Sequence, residues 1–122
     1  MNGTKFLLDT NIVIGLLKGN EAVSQLLESK RCSLSDCAVS QITRMELLSF
    51  PSLVSDEEKA INQFLSAVTV LMMDQTVEQV TINYRRKQGG KLPDAIIAAT
   101  ALNHQLELLT LDKKMAQQVK NY

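Results

Sequence analysis

Four acidic residues stand inside apolar sequence, where a carboxylate is costly unless something compensates its charge. Asp9 follows Phe6-Leu7-Leu8, Glu46 lies within Met45-Glu46-Leu47-Leu48, Asp94 within Leu92-Pro93-Asp94-Ala95-Ile96-Ile97, and Asp112 after Leu109-Thr110-Leu111. Carboxylates brought within a few ångströms of each other raise one another's pKa and cannot all stay ionised unaided. A hard divalent cation, Mg²⁺ or Mn²⁺, removes that conflict, because it takes oxygen ligands and keeps waters that a phosphate oxygen can replace. One or two such ions activate a water and clamp the leaving oxygen in phosphodiester cleavage. Each acid also has a plainer reading. Asp9 and Asp94 suit helix N-caps, Glu46 suits the rim of a surface helix, and Asp112 suits a turn.

Smaller polar residues accompany the acids. Asn11, two positions after Asp9, is placed to orient a metal-bound water or to help cap a helix, and Thr110 to hydrogen-bond a ligand carboxylate or to sit in a strand. Ser40 and Thr43 read as caps of the helix that carries Glu46. The densest basic stretch, Tyr84-Arg85-Arg86-Lys87-Gln88-Gly89-Gly90-Lys91, runs directly into Asp94. Arg85, Arg86, Lys87 and Lys91 are therefore candidate contacts for a phosphate backbone, against the alternative of cations gathered at a helix carboxyl end. Cys32 and Cys37 have no accompanying Cys or His cluster and read as reduced structural residues rather than a zinc site. The one histidine, His104, sits near a helix end and reads as a cap or a solvated residue.

The elements that must position these groups alternate. Residues 5–9 form a short buried strand closed by Asp9 or Thr10 as N-cap, and a helix runs through Ile12, Ile14 and Leu17 to Gly19. A second helix covers 20–30, a strand 37–40 and a third helix 41–49. Ser55 and Glu58 look like a capping box before the helix marked by Ala60, Ile61, Phe64 and Leu65. A strand at 68–72 precedes a helix defined by Val77, Val80 and Tyr84. Residues 94–103 are apolar nearly all round and predict a buried helix with Pro93 in its first turn. A strand at 108–111 and a helix at 113–120 complete the pattern. Strands alternating with helices imply a small three-layer α/β/α domain with a mostly parallel sheet, in which ligands bind beyond the carboxyl ends of the strands. Asp9 and Asp112 then fall on one sheet edge.

Composition narrows the classes. The 122 residues suit a single domain over 1–122, and 45% hydrophobic with 21% charged residues is the make-up of an ordinary globule. Thirteen basic against 13 acidic residues excludes a protein that coats nucleic acid by bulk charge. Removing the four acids above leaves nine acidic against 13 basic residues, a mild positive excess once a cation neutralises the cluster. No apolar run approaches a membrane span, and the start of the chain meets Asp9 too soon for a signal-peptide core, so a cytoplasmic location is expected.

Four segments together resemble the PIN-domain ribonucleases, and within them the VapC-type toxins of prokaryotic toxin–antitoxin pairs. They are Phe6-Leu7-Leu8-Asp9-Thr10-Asn11-Ile12-Val13-Ile14, Thr43-Arg44-Met45-Glu46-Leu47-Leu48, Lys91-Leu92-Pro93-Asp94-Ala95-Ile96-Ile97-Ala98-Ala99-Thr100-Ala101 and Leu109-Thr110-Leu111-Asp112. The resemblance implies a PIN-like fold and a metal-dependent endoribonuclease with acidic ligands at Asp9, Glu46, Asp94 and Asp112. It also implies a homodimer and inhibition by a cognate antitoxin whose tail occludes the site. Met115-Ala116 stand where many relatives carry a further Asp-aromatic pair, which leaves open whether a second ion binds. Three rivals compete. A phosphohydrolase with Asp9 as nucleophile wants an acid where Asn11 stands. A phospho-accepting receiver module would use Asp74 and gives no role to Glu46 or Asp94. A catalytically inactive PIN-like binding module would not need its acids intact.

Overall fold

Phe6, Leu7 and Leu8 form β1, and their side chains alternate between the two faces of a sheet as period-two geometry requires. The computed structural model describes residues 3–122; Met1 and Asn2, within the expected 1–122 domain, lie outside the described residues. After β1 come α1 (Thr10–Leu17), α2 (Glu21–Ser29), a 3-10 turn at Leu34–Asp36, β2 (Cys37–Ser40) and α3 (Gln41–Leu48). The chain continues with α4 (Ser55–Ala67), β3 (Thr69–Leu71), α5 (Gln75–Gln88), α6 (Leu92–His104), β4 (Glu107–Leu109) and α7 (Lys113–Lys120). The four strands are all parallel in the order β3-β2-β1-β4, with Phe6 opposite both Cys37 and Glu107.

Two apolar clusters flank this sheet. Phe6 and Leu8 join Val39 and Leu109 on one face, where α1, α2, α3 and α4 contribute Ile12, Val23, Leu47 and Phe64. Leu7 joins Ala38 and Leu108 on the other, covered by Tyr84 of α5, Ala95 and Ile97 of α6 and Met115 of α7. The expected three-layer α/β/α architecture is therefore the observed one. Burial on both faces explains why the strands are continuous apolar runs rather than alternating ones. Gly15 lets α1 and α2 touch, since a Cβ there would meet Val23 Cγ2 at 2.5 Å. No helix among the described residues is long and apolar enough to cross a membrane.

Several boundaries differ from the sequence expectation for local reasons. α6 begins at Leu92, two residues before the expected start, because Pro93 is accepted in the first turn and Lys91 takes the N-cap place. Asp94 is thus the third helical residue, not a cap. β4 starts at Glu107 and ends at Leu109, since Thr110 turns its hydroxyl into the site described below. Ser55 is the first helical residue of α4 and Val54 precedes it as N-cap. The carboxylate that reaches back belongs to Glu57, which accepts from the Val54 N–H at 3.1 Å, so the capping pattern lies one residue earlier than expected. Ser40 caps α3 by accepting from the Ile42 N–H, whereas Thr43 is fully buried one turn in and caps nothing. His104 is the exposed last residue of α6, as anticipated.

Candidate active site

The carboxyl ends of β1 and β4 deliver Asp9 and Thr110 side by side, and the Asp9 N–H extends the ladder by donating to the Leu109 carbonyl at 2.9 Å. Asp9 is the N-cap of α1 in extended conformation, and only 5% of it is exposed. Its Oδ1 accepts from the Thr10 N–H at 2.7 Å and its Oδ2 from the Thr110 hydroxyl at 2.7 Å. Burial pushes this carboxyl above its ordinary range, the two hydrogen bonds pull it back, and the negative charges of Asp94 and Glu46 push it further up. The capping reading of Asp9 is borne out, and the same residue lines the cleft described below.

Thr110 Oγ1 has three polar neighbours. It donates to Asp9 and accepts from the Asp112 N–H at 3.0 Å and from Asn11 Nδ2 at 3.5 Å. Asn11 Oδ1 in turn accepts from the Leu111 N–H at 3.2 Å, pinning the loop after β4 to the first turn of α1. Glu46 is held from the other side. The Thr10 hydroxyl donates to Glu46 Oε1 at 2.7 Å and lies 2.9 Å from the Thr43 hydroxyl, so Thr43 is left to donate to Thr10. The sequence reading missed Thr10 and Thr43 as members of the site. The cue was present, a hydroxyl residue at the first helical position directly beside Asp9 and another one turn before Glu46.

Asp9, Glu46 and Asp94 line one open cleft of about 480 Å³, together with Asn11, Ser49 and Phe50. Asp94 is exposed and projects from the first turn of α6. It also lines a neighbouring cavity of about 190 Å³ with Asp112, Tyr84, Gly89 and Lys114. Asp112 therefore lies outside the cleft of the other three acids and meets only Asp94 across the smaller cavity, and its Oδ1 caps α7 by accepting from the Met115 N–H at 3.0 Å. Tyr84 reflects this arrangement. Burial raises its phenol, and the charges of Asp112 and Asp94 add to the effect.

The basic stretch divides on inspection. Arg85, Arg86 and Lys87 occupy the last turn of α5, where the helix dipole favours cations. Arg85 Nε donates to the Gly90 carbonyl at 3.1 Å, and Lys87 Nζ lies 5.3 Å from the centre of the Tyr122 ring. Gly89 and Gly90, both at positive φ, turn the chain so that Lys91 and Asp94 follow at once. Lys114, which the sequence reading passed over, shares the smaller cavity with Asp94 and Asp112. Asp74, the residue a receiver module would phosphorylate, spends its carboxylate capping α5 through the Val77 N–H at 2.8 Å.

The family model of the PIN domain matches residues 6–121. The chain belongs to the PIN-domain family. Among solved structures, this PIN domain is similar to a chain of a toxin–antitoxin complex from Klebsiella pneumoniae, at 34% identity and a TM-score of 0.77, covering 90% of this chain and 88% of that one. It is also similar to a chain of DNA-bound VapBC from Salmonella typhimurium, at 26% identity and a TM-score of 0.78, covering 95% and 92%. A third is VapBC-1 from nontypeable Haemophilus influenzae, at 27% identity and a TM-score of 0.76, covering 97% and 94%. No curated protein matches the sequence. Nuclease activity is general for PIN domains, and such nucleases generally use a divalent metal.

The residues present suit such an ion in kind. Asp9, Glu46 and Asp94 offer only oxygen donors, which a hard cation prefers. Burial is the main cause of the raised Asp9 carboxyl, and a cation would offset both that burial and the smaller push from Asp94 and Glu46. Among the described residues, no three acidic, histidine or cysteine side chains already close on one point. The cleft is a prepared set of donors, not a finished cage.

Proposed function

We propose that this PIN domain is a single-domain metal-dependent endoribonuclease over residues 1–122, acting as the toxin of a toxin–antitoxin pair. The observation that carries the proposal is the shared cleft of Asp9, Glu46 and Asp94 at the carboxyl edge of the parallel sheet. These three residues would hold Mg²⁺ or Mn²⁺, with Asp112 supporting them from the adjoining cavity. When bound, the ion supplies a water activated for attack on phosphorus and charge neutralisation at the leaving oxygen.

The chain's own residues set the geometry. The Thr10 N–H and the Thr110 hydroxyl fix both oxygens of Asp9, and each oxygen keeps a second lone pair for a ligand. The Thr10 hydroxyl fixes Glu46, and Asn11 braces the Thr110 loop. Arg85, Arg86, Lys87 and Lys91 grip the phosphate backbone of single-stranded or looped RNA. All four are exposed, but Arg85 is engaged with the Gly90 carbonyl and Lys87 with the Tyr122 ring, so Arg86 and Lys91 reach it most freely, and Lys114 adds a cation beside Asp94.

An antitoxin partner is supported by the relatives solved as toxin–antitoxin complexes. An apolar groove of about 530 Å³ between α1, α3 and α4 is lined by Leu17, Leu47, Leu53 and Ile61, and shares Ile14 and Phe50 with the acid cleft. An antitoxin tail seated in that groove would continue into the cleft and block it. The working form is a cytoplasmic homodimer.

Cleavage of a mixed RNA pool tests the proposal. Cutting that requires Mg²⁺ or Mn²⁺, stops with chelator and is lost in Asp94→Asn supports it. Cutting that survives chelation, or full activity in Asp94→Asn, overturns it.

A further inference from the structure

The opposite edge of the sheet holds the two cysteines, and the acid cleft makes no use of them. Cys37 opens β2 and is 1% exposed, while Cys32 follows α2 and is partly exposed. Both are free thiols whose sulfurs stand 2.8 Å apart. A disulfide needs about 2.05 Å, so the sulfurs are within an ångström of bonding distance. The segment between them is already folded for closure. Both thiols point at one carbonyl, that of Ser33, at 3.7 Å from Cys32 and 3.3 Å from Cys37. Asp36 Oδ2 accepts from the Ser33 hydroxyl at 3.1 Å, and the Lys5 N–H donates to the Asp36 carbonyl at 2.7 Å. Cys32 is itself anchored, since its N–H donates to the Leu27 carbonyl at 3.0 Å. An ordinary pair of structural thiols needs neither this approach nor a shared direction.

We propose that Cys32 and Cys37 form a reversible dithiol–disulfide site that exchanges with a low-molecular-weight disulfide. The Cys32 thiolate, the more accessible of the two, attacks one sulfur of the small disulfide. That bond breaks, and one small thiolate leaves. Cys37 then loses its proton, its sulfur attacks Cys32 Sγ, and the second small thiolate departs. Two electrons pass from the cysteine pair to the small disulfide, and the two protons released by the cysteines go to the departing thiols. Burial, reinforced by the neighbouring Cys32, pushes the Cys37 thiol up, which fits Cys37 as the resolving rather than the attacking residue. The product clasps the end of α2 to the start of β2 and leaves the carboxyl edge of the sheet untouched. Closure removes freedom mainly from the unfolded chain and so adds stability.

The full-length protein incubated with oxidised glutathione in mildly alkaline buffer tests this. Intact mass should show the loss of two hydrogens with no glutathione retained, thiol titration under denaturing conditions should fall from two per chain to none, and both should reverse with dithiothreitol. The oxidised form should melt several degrees higher than the reduced form. Cys37→Ala should stop at one retained glutathione on Cys32, and Cys32→Ser should retain the Cys37 thiol unmodified. Should Cys37→Ala fold poorly, the wild-type mass and thiol count still decide. A wild-type protein that stops at the glutathione adduct, stays reduced, links chain to chain, or melts no higher when oxidised overturns the proposal.

Discussion

The two halves of the acid cleft are built on different principles. Asp9 and Glu46 are each gripped by a threonine hydroxyl at 2.7 Å, and Asp9 is almost wholly buried. Asp94 is exposed on the first turn of α6, and Asp112 is committed to capping α7. The first half is held in place by the fold. Asp94 alone offers charge that the fold does not need, so its reason for being there has to be sought in what enters the cleft. Burial without a counter-charge is costly, and it is tolerable for Asp9 because two donors partly offset it.

The largest way to sharpen this contrast is Asp94→Asn. RNA cleavage should fall on the order of 100-fold or more, while the melting curve moves by no more than about 0.5 kcal/mol, as for an exposed substitution. A large stability loss would place Asp94 with the held half. Mn²⁺ at roughly 100 times its dissociation constant should stabilise the wild-type protein by about 2.7 kcal/mol. Differential scanning should show that gain vanish in Asp9→Asn and shrink in Asp94→Asn.

Thr110→Val attacks the held half directly. It strips Asp9 Oδ2 of its donor and the Asp112 N–H of its acceptor, and urea unfolding should register a loss of about 1–3 kcal/mol. Asp112 can be divided by two variants. Asp112→Ala should cost about 1 kcal/mol through the lost cap and Asp112→Asn only a few tenths, so an activity loss in Asp112→Asn isolates the charge.

The smallest effect is one of pH. Because the folded Asp9 carboxyl is raised, the unfolded chain gives up that proton first as pH climbs. The associated stability is complete below the ordinary carboxylate pKa of about 3.9 and is lost as pH rises through the folded value. Ion-free wild-type protein should thus weaken over that window relative to Asp9→Asn, followed by urea unfolding at stepped pH. Asparagine keeps the cap, but its amide faces a Thr110 hydroxyl whose lone pairs are already engaged, which limits any net gain at neutral pH.

Fold class was legible because burial on both faces leaves a plain mark, short apolar runs separated by helical periodicity. Asp9 and Asp94 were legible for the related reason that a charge inside such a run is conspicuous. Strand ends and caps were less so. Proline in a first turn moved α6 back to Leu92, and Glu57 rather than Glu58 reached back at α4, a one-residue choice that hydrophobic spacing does not encode. The Thr10–Thr43–Glu46 chain was hidden because it joins residues 33 and 36 positions apart through hydroxyls common in any helix. Lys114 was hidden because a lysine in Lys113-Lys114 looks like solvated surface until α7 is set beside α6.

Thr110 has one hydrogen and three polar neighbours, two of which can only donate to it. Its hydroxyl consequently has a single satisfying orientation. In terms of sequence drift, this position is a narrow gate. Serine passes, keeping the hydrogen and the lone pairs at the cost of a freer rotamer, while valine keeps the shape and loses every bond. Neutral change around the cleft should therefore accumulate at Asp94's exposed neighbours and leave Thr110 alternating between two residues. A lineage that loses this hydroxyl should be found losing the Asp9 carboxylate soon after.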